Sequence, residues 1–116
     1  MSKNFLSVNE ELRKGDYLVS NNQEFKAVFQ EDGNFVIYGW KPTWASDTVS
    51  SEPYRLCMQK DCNFVMYTKN DSAIWHTKSN RSPCNTCRLY LKDDGTLVVA
   101  SEGQDVWSSA NSKGTK

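Results

Sequence analysis

Several kinds of residue are scarce in this chain of 116 residues, and each scarcity excludes a class of function. The 14 basic side chains are balanced by 14 acidic ones, so the chain lacks the basic footprint of a nucleic-acid-binding protein. No apolar run approaches the roughly 18 residues needed to span a bilayer, so we expect no membrane insertion. One histidine and four cysteines offer little material for a metal centre or a nucleophilic active site. We therefore expect no metal and no cofactor.

The segment Met1–Phe25 also lacks an apolar stretch flanked by basic residues, so it contains no recognisable signal peptide. Aromatic residues, in contrast, are plentiful. Four tryptophans, five tyrosines and five phenylalanines argue against a disordered chain. One domain spanning residues 1–116 is long enough to bury a core of its own.

The chain repeats itself at a spacing of about thirty residues. Gln30–Tyr38 has the sequence Gln-Glu-Asp-Gly-Asn-Phe-Val-Ile-Tyr, and Gln59–Tyr67 has Gln-Lys-Asp-Cys-Asn-Phe-Val-Met-Tyr. Lys92–Ala100 is a more divergent third copy. Each copy is followed by a tryptophan and, two residues later, a hydroxyl residue: Trp44 and Ser46, Trp75 and Thr77, Trp107 and Ser109. The repeats divide the chain into three units, of about 12–46, 47–77 and 78–110.

Each copy predicts a β-hairpin, because a turn signal such as Glu31–Gly33 lies between two alternating runs. Successive side chains of a strand point to opposite faces of the sheet, so one face of each hairpin is wholly apolar. The twelve residues of that face are Ala27, Phe29, Phe35, Ile37, Leu56, Met58, Phe64, Met66, Leu89, Leu91, Leu97 and Val99. We predict that they form the core and that the three repeated tryptophans close it at its centre.

The rest of the chain fits the same all-β account. Leu12–Leu18 predicts a turn that leads into the first strand of the first sheet, and no window shows sustained helical periodicity. Three hairpin units imply three sheets around a pseudo-threefold axis. Trp40 lies outside the repeated set, and we expect it to cover an edge of the core rather than to form a binding-site rim. His76 follows Trp75, and we expect it to face solvent.

The opposite face of the first two hairpins carries the same polar strip twice. Site 1 comprises Gln30, Asp32, Asn34, Val36 and Tyr38, and site 2 comprises Gln59, Asp61, Asn63, Val65 and Tyr67. The amide and phenol groups donate and accept hydrogen bonds, and the ionised carboxylate accepts them, which is the mixture that the hydroxyls of a neutral sugar require. The alternative is that these residues only satisfy backbone groups of the turn. The recurrence of the glutamine and the tyrosine favours sugar binding.

The pattern Gln-x-Asp-x-Asn-x-Val-x-Tyr resembles the signature of the bulb-type (monocot) mannose-binding lectins. The resemblance spans Leu12 to about Ala110, and the ends and linkers look closest to the fish skin-mucus lectins of pufflectin type. It implies the β-prism II fold, with three four-stranded antiparallel sheets, and calcium-independent binding of terminal α-mannose. In that family the aspartate and asparagine hold the 2-hydroxyl, the glutamine the 3-hydroxyl and the tyrosine the 4-hydroxyl, while the valine packs on the ring.

The resemblance also implies partners and a location. The partners are mannose-containing glycans and glycoproteins, and the chain is expected to form a homodimer through its C-terminal segment, Val106–Ala110. A shallow site with a few hydrogen bonds has a Kd on the order of millimolar, so several sites must engage one glycan. A secreted, mucus-like lectin in host defence or agglutination is the expected role, although no signal peptide is visible.

The third copy, which we call site 3, departs from the pattern. Lys92 replaces glutamine, Thr96 replaces asparagine and Ala100 replaces tyrosine, while Asp94 and Val98 are retained. A hydrogen bond is worth only about 0.5–1.5 kcal/mol, but a sugar hydroxyl left without its partner costs more. We therefore predict that site 3 is degenerate and binds mannose weakly or not at all.

The four cysteines are Cys57, Cys62, Cys84 and Cys87, and their spacing alone does not choose among three disulfide pairings. A zinc site of four thiolates and free reduced thiols are the alternatives, while a redox Cys-x-x-Cys lacks its usual βαβ context. The lectin resemblance implies the pair Cys62–Cys87, which leaves Cys57 and Cys84 as a second bridge. Two disulfides would favour an oxidising compartment.

Two other function classes compete with the lectin. Glycoside hydrolysis needs two carboxylates about 5–9 Å apart on one scissile bond. Glu31 beside Asp32 is replaced by Lys60 in the second copy, so no carboxylate pair recurs and we predict no enzyme. A protein-interaction module on a β-prism scaffold, with weak or vestigial sugar binding, is the remaining alternative. Two intact polar strips argue against it.

Overall fold

The computed structural model describes residues 3–49, 53–79 and 87–111, which form twelve strands. The strands are β1 Phe5–Ser7, β2 Glu11–Arg13, β3 Tyr17–Val19, β4 Lys26–Phe29, β5 Phe35–Tyr38, β6 Pro42–Ala45, β7 Pro53–Met58, β8 Phe64–Thr68, β9 Ala73–His76, β10 Cys87–Leu91, β11 Leu97–Ser101 and β12 Gln104–Ser108. Within these ranges the one helical element is a 3-10 turn at Ser109–Asn111. No helix in them is long and apolar enough to cross a membrane.

All three sheets are built in the same way. Each takes one short strand from the N-terminal segment and three consecutive strands from one repeat, in the orders β3-β4-β5-β6, β2-β7-β8-β9 and β1-β10-β11-β12. Every pairing between neighbouring strands is antiparallel. The register shifts once at the outer hairpin of each sheet and once more between β7 and β8, at Pro53. The predicted all-β architecture of three four-stranded sheets is confirmed.

The N-terminal segment is where the prediction fell short. A turn does precede β3 and the first sheet, but Leu12 belongs to β2, which adds to the second sheet instead. The strand β1 was not predicted at all, and it forms the edge of the third sheet. Strands of three residues show at most one full alternation, so no periodicity reveals them in the sequence.

The predicted core is confirmed residue by residue. All twelve apolar side chains of the inner hairpin faces are 0% exposed. The rings of Trp44, Trp75 and Trp107 contact one another in all three combinations, with centroid separations of 5.8, 5.8 and 6.1 Å. Tilted and edge-on contacts at these separations are favourable for aromatic rings. The three sheets therefore enclose one core, and their polar strips are left on the outside.

The hairpin turns of the three repeats have the same backbone. In site 1, the Gln30 N–H donates to Asn34 O at 2.9 Å and the Gly33 N–H donates to Gln30 O at 3.0 Å, and sites 2 and 3 repeat both bonds. The third turn residue has a positive φ in every copy: 90° at Gly33, 74° at Cys62 and 89° at Gly95. Glycine adopts this conformation without strain, whereas a cysteine there is unusual.

The second repeat uses that unusual cysteine for a disulfide. Cys62 is bonded to Cys87, with their Cα atoms 5.3 Å apart, and the pairing implied by the resemblance is confirmed. Cys57 forms no disulfide with any described residue, and burial raises the pKa of its thiol. Cys84 lies outside the described residues, so a bond between Cys57 and Cys84 stays a prediction.

Candidate functional site

Sites 1 and 2 lie on the outward faces of two different sheets. Site 1 lies on the hairpin of β4 and β5, and site 2 on the hairpin of β7 and β8. In the first, Val28 pairs with Val36 and Lys26 with Tyr38. Because the side chains alternate, each strip collects its members on one face, with the aspartate at the turn and the tyrosine at the far end. The structure thus brings all five predicted residues of each site together.

The glutamine and the tyrosine of each site are hydrogen-bonded to each other. Gln30 Nε2 donates to Tyr38 Oη, and Gln59 Nε2 donates to Tyr67 Oη. All four side chains are partly exposed. Each tyrosine oxygen therefore accepts from the protein while its own proton remains available, and the glutamine keeps its carbonyl oxygen for a further partner.

The aspartate stabilises its own turn with one carboxylate oxygen. Asp32 Oδ1 accepts the Asn34 N–H at 3.0 Å, and the same bond recurs from Asn63 to Asp61 at 3.0 Å. It also occurs in site 3, where Asp94 accepts the Thr96 N–H at 2.9 Å and the bond lowers the pKa of that carboxyl group. The turn thus occupies one carboxylate oxygen of each aspartate with a hydrogen bond. The other oxygen is exposed and remains available for a ligand.

The asparagine of site 1 is fixed through its side-chain oxygen. Asn34 Oδ1 accepts from Ser46 Oγ at 3.1 Å and from the Thr48 N–H at 3.2 Å. Thr48 Oγ1 in turn donates to Gly33 O at 2.7 Å, so this buried network ties the asparagine to its turn. Because its side-chain oxygen is occupied, Asn34 offers a ligand its Nδ2 amide as a donor. This amide has no partner among the described residues.

Site 2 has the same network with the hydroxyl residues exchanged. Asn63 Oδ1 accepts from Thr77 Oγ1 at 3.2 Å and from the Ser79 N–H at 3.3 Å. A further contact is specific to this site: His76 Nδ1 lies 3.2 Å from Asn63 Nδ2. His76 points away from the core, as predicted, but its half-buried ring lies beside the site, a contact that the prediction missed. Ala45 occupies the equivalent position in site 1.

The hydroxyl residue that follows each repeated tryptophan has a backbone partner. Ser46 accepts the Phe35 N–H at 3.0 Å, Thr77 accepts the Phe64 N–H at 3.1 Å and Ser109 accepts the Leu97 N–H at 2.9 Å. Each bond satisfies a buried donor at the start of the central strand. The recurrence of this hydroxyl in the sequence thus reflects a requirement of the fold in all three copies, and sites 1 and 2 use it a second time to hold the asparagine.

The valine of each strip forms the floor of its site. Val36 and Val65 are 4% and 3% exposed, so they offer a ligand only a small apolar surface. The side chains around the tyrosines differ more. Arg55 lies over the ring of Tyr67, with its Cζ atom 4.5 Å from the centroid, whereas Lys26 turns away from Tyr38 to the ring of Tyr17. Sites 1 and 2 therefore share their polar groups but not the surroundings of the tyrosine.

Site 3 keeps the turn but loses the ligand groups. Ala100 stands where a tyrosine would, and a cavity of about 510 Å³ lies there, lined in part by Arg88 and Tyr90. Arg88 lies over the ring of Phe5 at 4.6 Å, and Tyr90 donates to Asp105 at 3.3 Å. Burial and the nearby Asp105 carboxylate raise the pKa of Tyr90. The loss of mannose binding at site 3 stays a prediction.

The prediction that Trp40 covers the core is wrong. Its side chain is 102% exposed, at the turn between β5 and β6. The reason lies in Phe25, which covers the core edge beneath this turn. A Cβ atom on Gly39 would lie 2.7 Å from the Phe25 ring, so the turn rests directly on that ring and Trp40 projects beyond it.

The chain is similar in sequence to a known lectin and in fold to solved lectin structures, as given below. No protein-family model matches the chain. The chain is 59% identical over 113 residues to the B-type lectin plumieribetin of Scorpaena plumieri, and the match covers 97% of this chain and 100% of that protein.

Solved structures of lectins share the fold. A monomeric monocot mannose-binding lectin of Gastrodia elata is similar with a TM-score of 0.84 and 27% identity, over 94% of this chain and 98% of that one. The mannose-specific agglutinin of snowdrop (Galanthus nivalis), complexed with methyl-α-D-mannoside, is similar with a TM-score of 0.77 and 30% identity, over 97% of this chain and 100% of that one. The three sheets therefore form a β-prism II fold.

Proposed function

Because this chain belongs to the B-type, or bulb-type, lectin family, we propose that it binds terminal α-mannose at sites 1 and 2 without calcium. Lectins bind carbohydrate without catalysing a reaction on it, so recognition is the function to explain. One observation carries the proposal: two sheets hold the same hydrogen-bonded set of glutamine, aspartate, asparagine and tyrosine. The methyl-α-D-mannoside in the snowdrop structure supports mannose as the ligand class.

The free hydrogen-bonding groups of site 1 suit adjacent sugar hydroxyls. The exposed oxygen of Asp32 accepts and the Asn34 amide donates, so together they can satisfy a 2-hydroxyl that does both. Gln30, which lies opposite Asn34, and Tyr38, whose hydroxyl the Gln30 amide reaches, then serve the 3- and 4-hydroxyls. Each of these contacts is a direct side-chain hydrogen bond, and the scheme needs no metal ion to hold the sugar.

Affinity must come from more than one site. Each shallow site is expected to bind a monosaccharide with a Kd on the order of millimolar. Two sites on different sheets of one chain can engage two branches of a glycan, which raises the avidity without new contacts. We extend the proposal to a homodimer, which would present four sites. Light scattering behind a sizing column should then give twice the mass of one chain, and the mass of a single chain would contradict the dimer.

A location outside the cell fits the same picture. The Cys62–Cys87 disulfide supports an oxidising compartment, where a multivalent lectin can cross-link surface glycans in defence or agglutination. An agglutination assay with mannan-coated beads tests this role. Beads should clump at micromolar lectin and disperse on adding free methyl α-mannoside, whereas beads that stay dispersed would contradict the role.

The binding proposal itself is tested by an NMR titration of the purified protein with methyl α-mannoside in the presence of EDTA. Shifts should concentrate in Gln30–Tyr38 and Gln59–Tyr67, with methyl α-galactoside as the control that leaves both segments unchanged. Silence up to tens of millimolar, both with EDTA and with added calcium, would overturn it, and shifts that appear only when calcium replaces EDTA would overturn calcium independence. Silence would direct attention to a protein partner of the same scaffold.

A further inference from the structure

A histidine beside site 2 distinguishes this site from the other two. His76 of β9 pairs with Val65, the valine of the strip. The place opposite the corresponding valine is held by Ala45 in site 1 and by Ser108 in site 3. The chain contains a single histidine, so its one imidazole lies where a change of protonation can act on site 2 alone.

The orientation of the Asn63 side chain is fixed by its partners. Its oxygen accepts the Ser79 N–H at 3.3 Å, and a backbone N–H can only donate. Thr77 Oγ1 donates to the same oxygen at 3.2 Å, and both hydroxyl residues are buried. The amide therefore cannot turn over, and its nitrogen must face His76.

The tautomer of His76 follows from this orientation. Asn63 Nδ2 is a donor only, and it lies 3.2 Å from His76 Nδ1. Nδ1 must therefore accept, which places the proton of the neutral ring on Nε2. The amide carries two hydrogens, so the histidine holds one of them and the other stays available for a ligand.

Protonation of the ring removes this hydrogen bond. An imidazolium carries a hydrogen on each nitrogen, so Nδ1 would direct a donor at the Asn63 donor. Because Asn63 cannot turn over, the ring must move away, and the amide loses the partner that holds its nitrogen. The displaced cation is then free to pair with the exposed carboxylate of Asp61, which is the acceptor proposed for the 2-hydroxyl. Both effects weaken a bound sugar.

The elements around His76 carry other charged and titratable groups, but none of them forms an ion pair with it among the described residues. They are Arg55 and Cys57 of β7, Lys60 and Asp61 of the hairpin turn, Tyr67 of β8, Lys69 and Asp71 of the next turn, and Lys78 after β9. Arg55 is bonded to Asp71, and burial raises the pKa of the Cys57 thiol. The contact with Asn63 is thus the one polar side-chain contact that the described structure gives to His76.

We propose that His76 is a sixth residue of site 2, a positioning residue that holds the Asn63 amide for the sugar only while its Nδ1 is unprotonated. The inference rests on the proposed function, because it assumes that Asn63 donates to a hydroxyl of mannose. Histidine side chains change charge between about pH 5 and 8. Site 2 should therefore lose affinity as the pH falls through this range, whereas site 1, with Ala45 in the same place, should not.

An NMR titration of the intact protein with methyl α-mannoside, at about pH 8 and at about pH 5, follows both sites in one sample. The Kd read from residues 59–67 should rise about two- to tenfold at the lower pH, as expected for the loss of one hydrogen bond. The Kd read from residues 30–38 is the internal control, because site 1 has the same aspartate. At the higher pH, the ¹⁵N signals of His76 should show a proton on Nε2 and none on Nδ1. An unchanged or lower Kd at site 2, an equal rise at both sites, or a neutral ring protonated on Nδ1 would overturn the proposal.

Two variants separate this role from a merely structural one. His76→Asn places a carbonyl oxygen at the branch point where Nδ1 stood, and this oxygen accepts at any pH. It should keep the affinity of site 2 at the higher pH and abolish the loss at the lower one. His76→Ala, which copies site 1, should bind about two- to tenfold more weakly at the higher pH and also show no pH dependence. A pH dependence that survives in either variant would overturn the role of His76.

The outcomes distinguish the two proposals. If methyl α-mannoside binds at both sites with the same pH profile, the role of His76 fails and the proposed function stands. If it binds at neither site at either pH, the proposed function fails and the role of His76 fails with it.

Discussion

Cys62 and Cys87 are joined at the point where the hairpin turn of one repeat meets the first strand of the next sheet. The other two turns make the same junction without a covalent bond. A Cβ atom on Gly33 would lie 2.6 Å from Pro53, and one on Gly95 would lie 2.6 Å from Phe25. The third turn residue thus serves one purpose in all three repeats, which is to dock the hairpin turn against a neighbouring sheet.

Removing the disulfide should lower the free energy of unfolding, because the unfolded chain gains conformational freedom. Its cysteines are 25 residues apart, and closing such a loop is worth about 3 kcal/mol in the free energy of unfolding. The variant Cys62→Gly/Cys87→Ser should lose about that much in urea denaturation. Cys62→Ala/Cys87→Ser should lose about 1 kcal/mol more, because alanine is strained at the φ of 74° that Cys62 adopts. Equal stability of the two variants would argue against this strained conformation.

Replacing the aspartates by asparagine tests their role in ligand binding separately from their role in the turn. Asp32→Asn and Asp61→Asn keep an oxygen that accepts the turn N–H, so both variants should unfold within about 0.5 kcal/mol of the parent. Both remove the charged acceptor proposed for the 2-hydroxyl, so the double variant should show no mannoside binding by calorimetry. Binding that persists in the double variant would remove the site assignment.

Asp94→Asn is the matched control for that measurement. It makes the same chemical change in a turn with the same hydrogen bond, but in a site that is expected to bind no mannose. Its affinity for methyl α-mannoside should equal that of the parent. A loss of binding in this control would mean that the charge acts at long range rather than by contact.

The sequence predicted what depends on local alternation and repetition. Strict alternation identified all twelve inner-face residues of the hairpins, and the doubled strip predicted which polar side chains lie together on each outer face. Contacts that depend on how separate segments meet were missed. Thr48 reaches Asn34 from 14 residues away along the chain, after a bend that no local pattern indicates. Trp40 was misplaced because nothing in the sequence shows that Phe25 already covers that edge of the core.

The hydroxyl after each tryptophan should contribute to stability in every repeat but to binding in only some. Ser46→Ala and Ser109→Ala each leave a buried backbone N–H without its partner, which costs about 1–3 kcal/mol. Ser46 also holds Asn34, so its loss should weaken mannoside binding at site 1 several-fold. Ser109→Ala should lower stability to a similar degree and leave the affinity of site 1 unchanged. An equal effect of both variants on affinity would show that general destabilisation, and not the position of Asn34, is responsible.

Site 3 offers the sharpest test, because a binding site can be rebuilt there. Its turn bonds, its aspartate and its buried Val98 already match the other two sites. The variant Lys92→Gln/Thr96→Asn/Ala100→Tyr supplies the missing amides and phenol, and the cavity beside Ala100 leaves room for the new ring. Arg88 pairs with position 100 as Arg55 pairs with Tyr67, but its guanidinium lies over Phe5 and would have to leave that ring to stack on the new one.

Calorimetry of that triple variant with methyl α-mannoside should count three sites, whereas the parent should show two. The NMR signals of residues 92–100 of the variant should also shift on adding the sugar. The single change Ala100→Tyr is the control, and it should fill the cavity without adding a site because the amides are still missing. A triple variant that folds but still shows two sites would mean that the five strip residues are not sufficient. The hydroxyl two positions after Ser46 or Thr77, which donates from Thr48 to Gly33 O and from Ser79 to Cys62 O, would then be the missing part, since Asn111 carries an amide at that position in the third repeat.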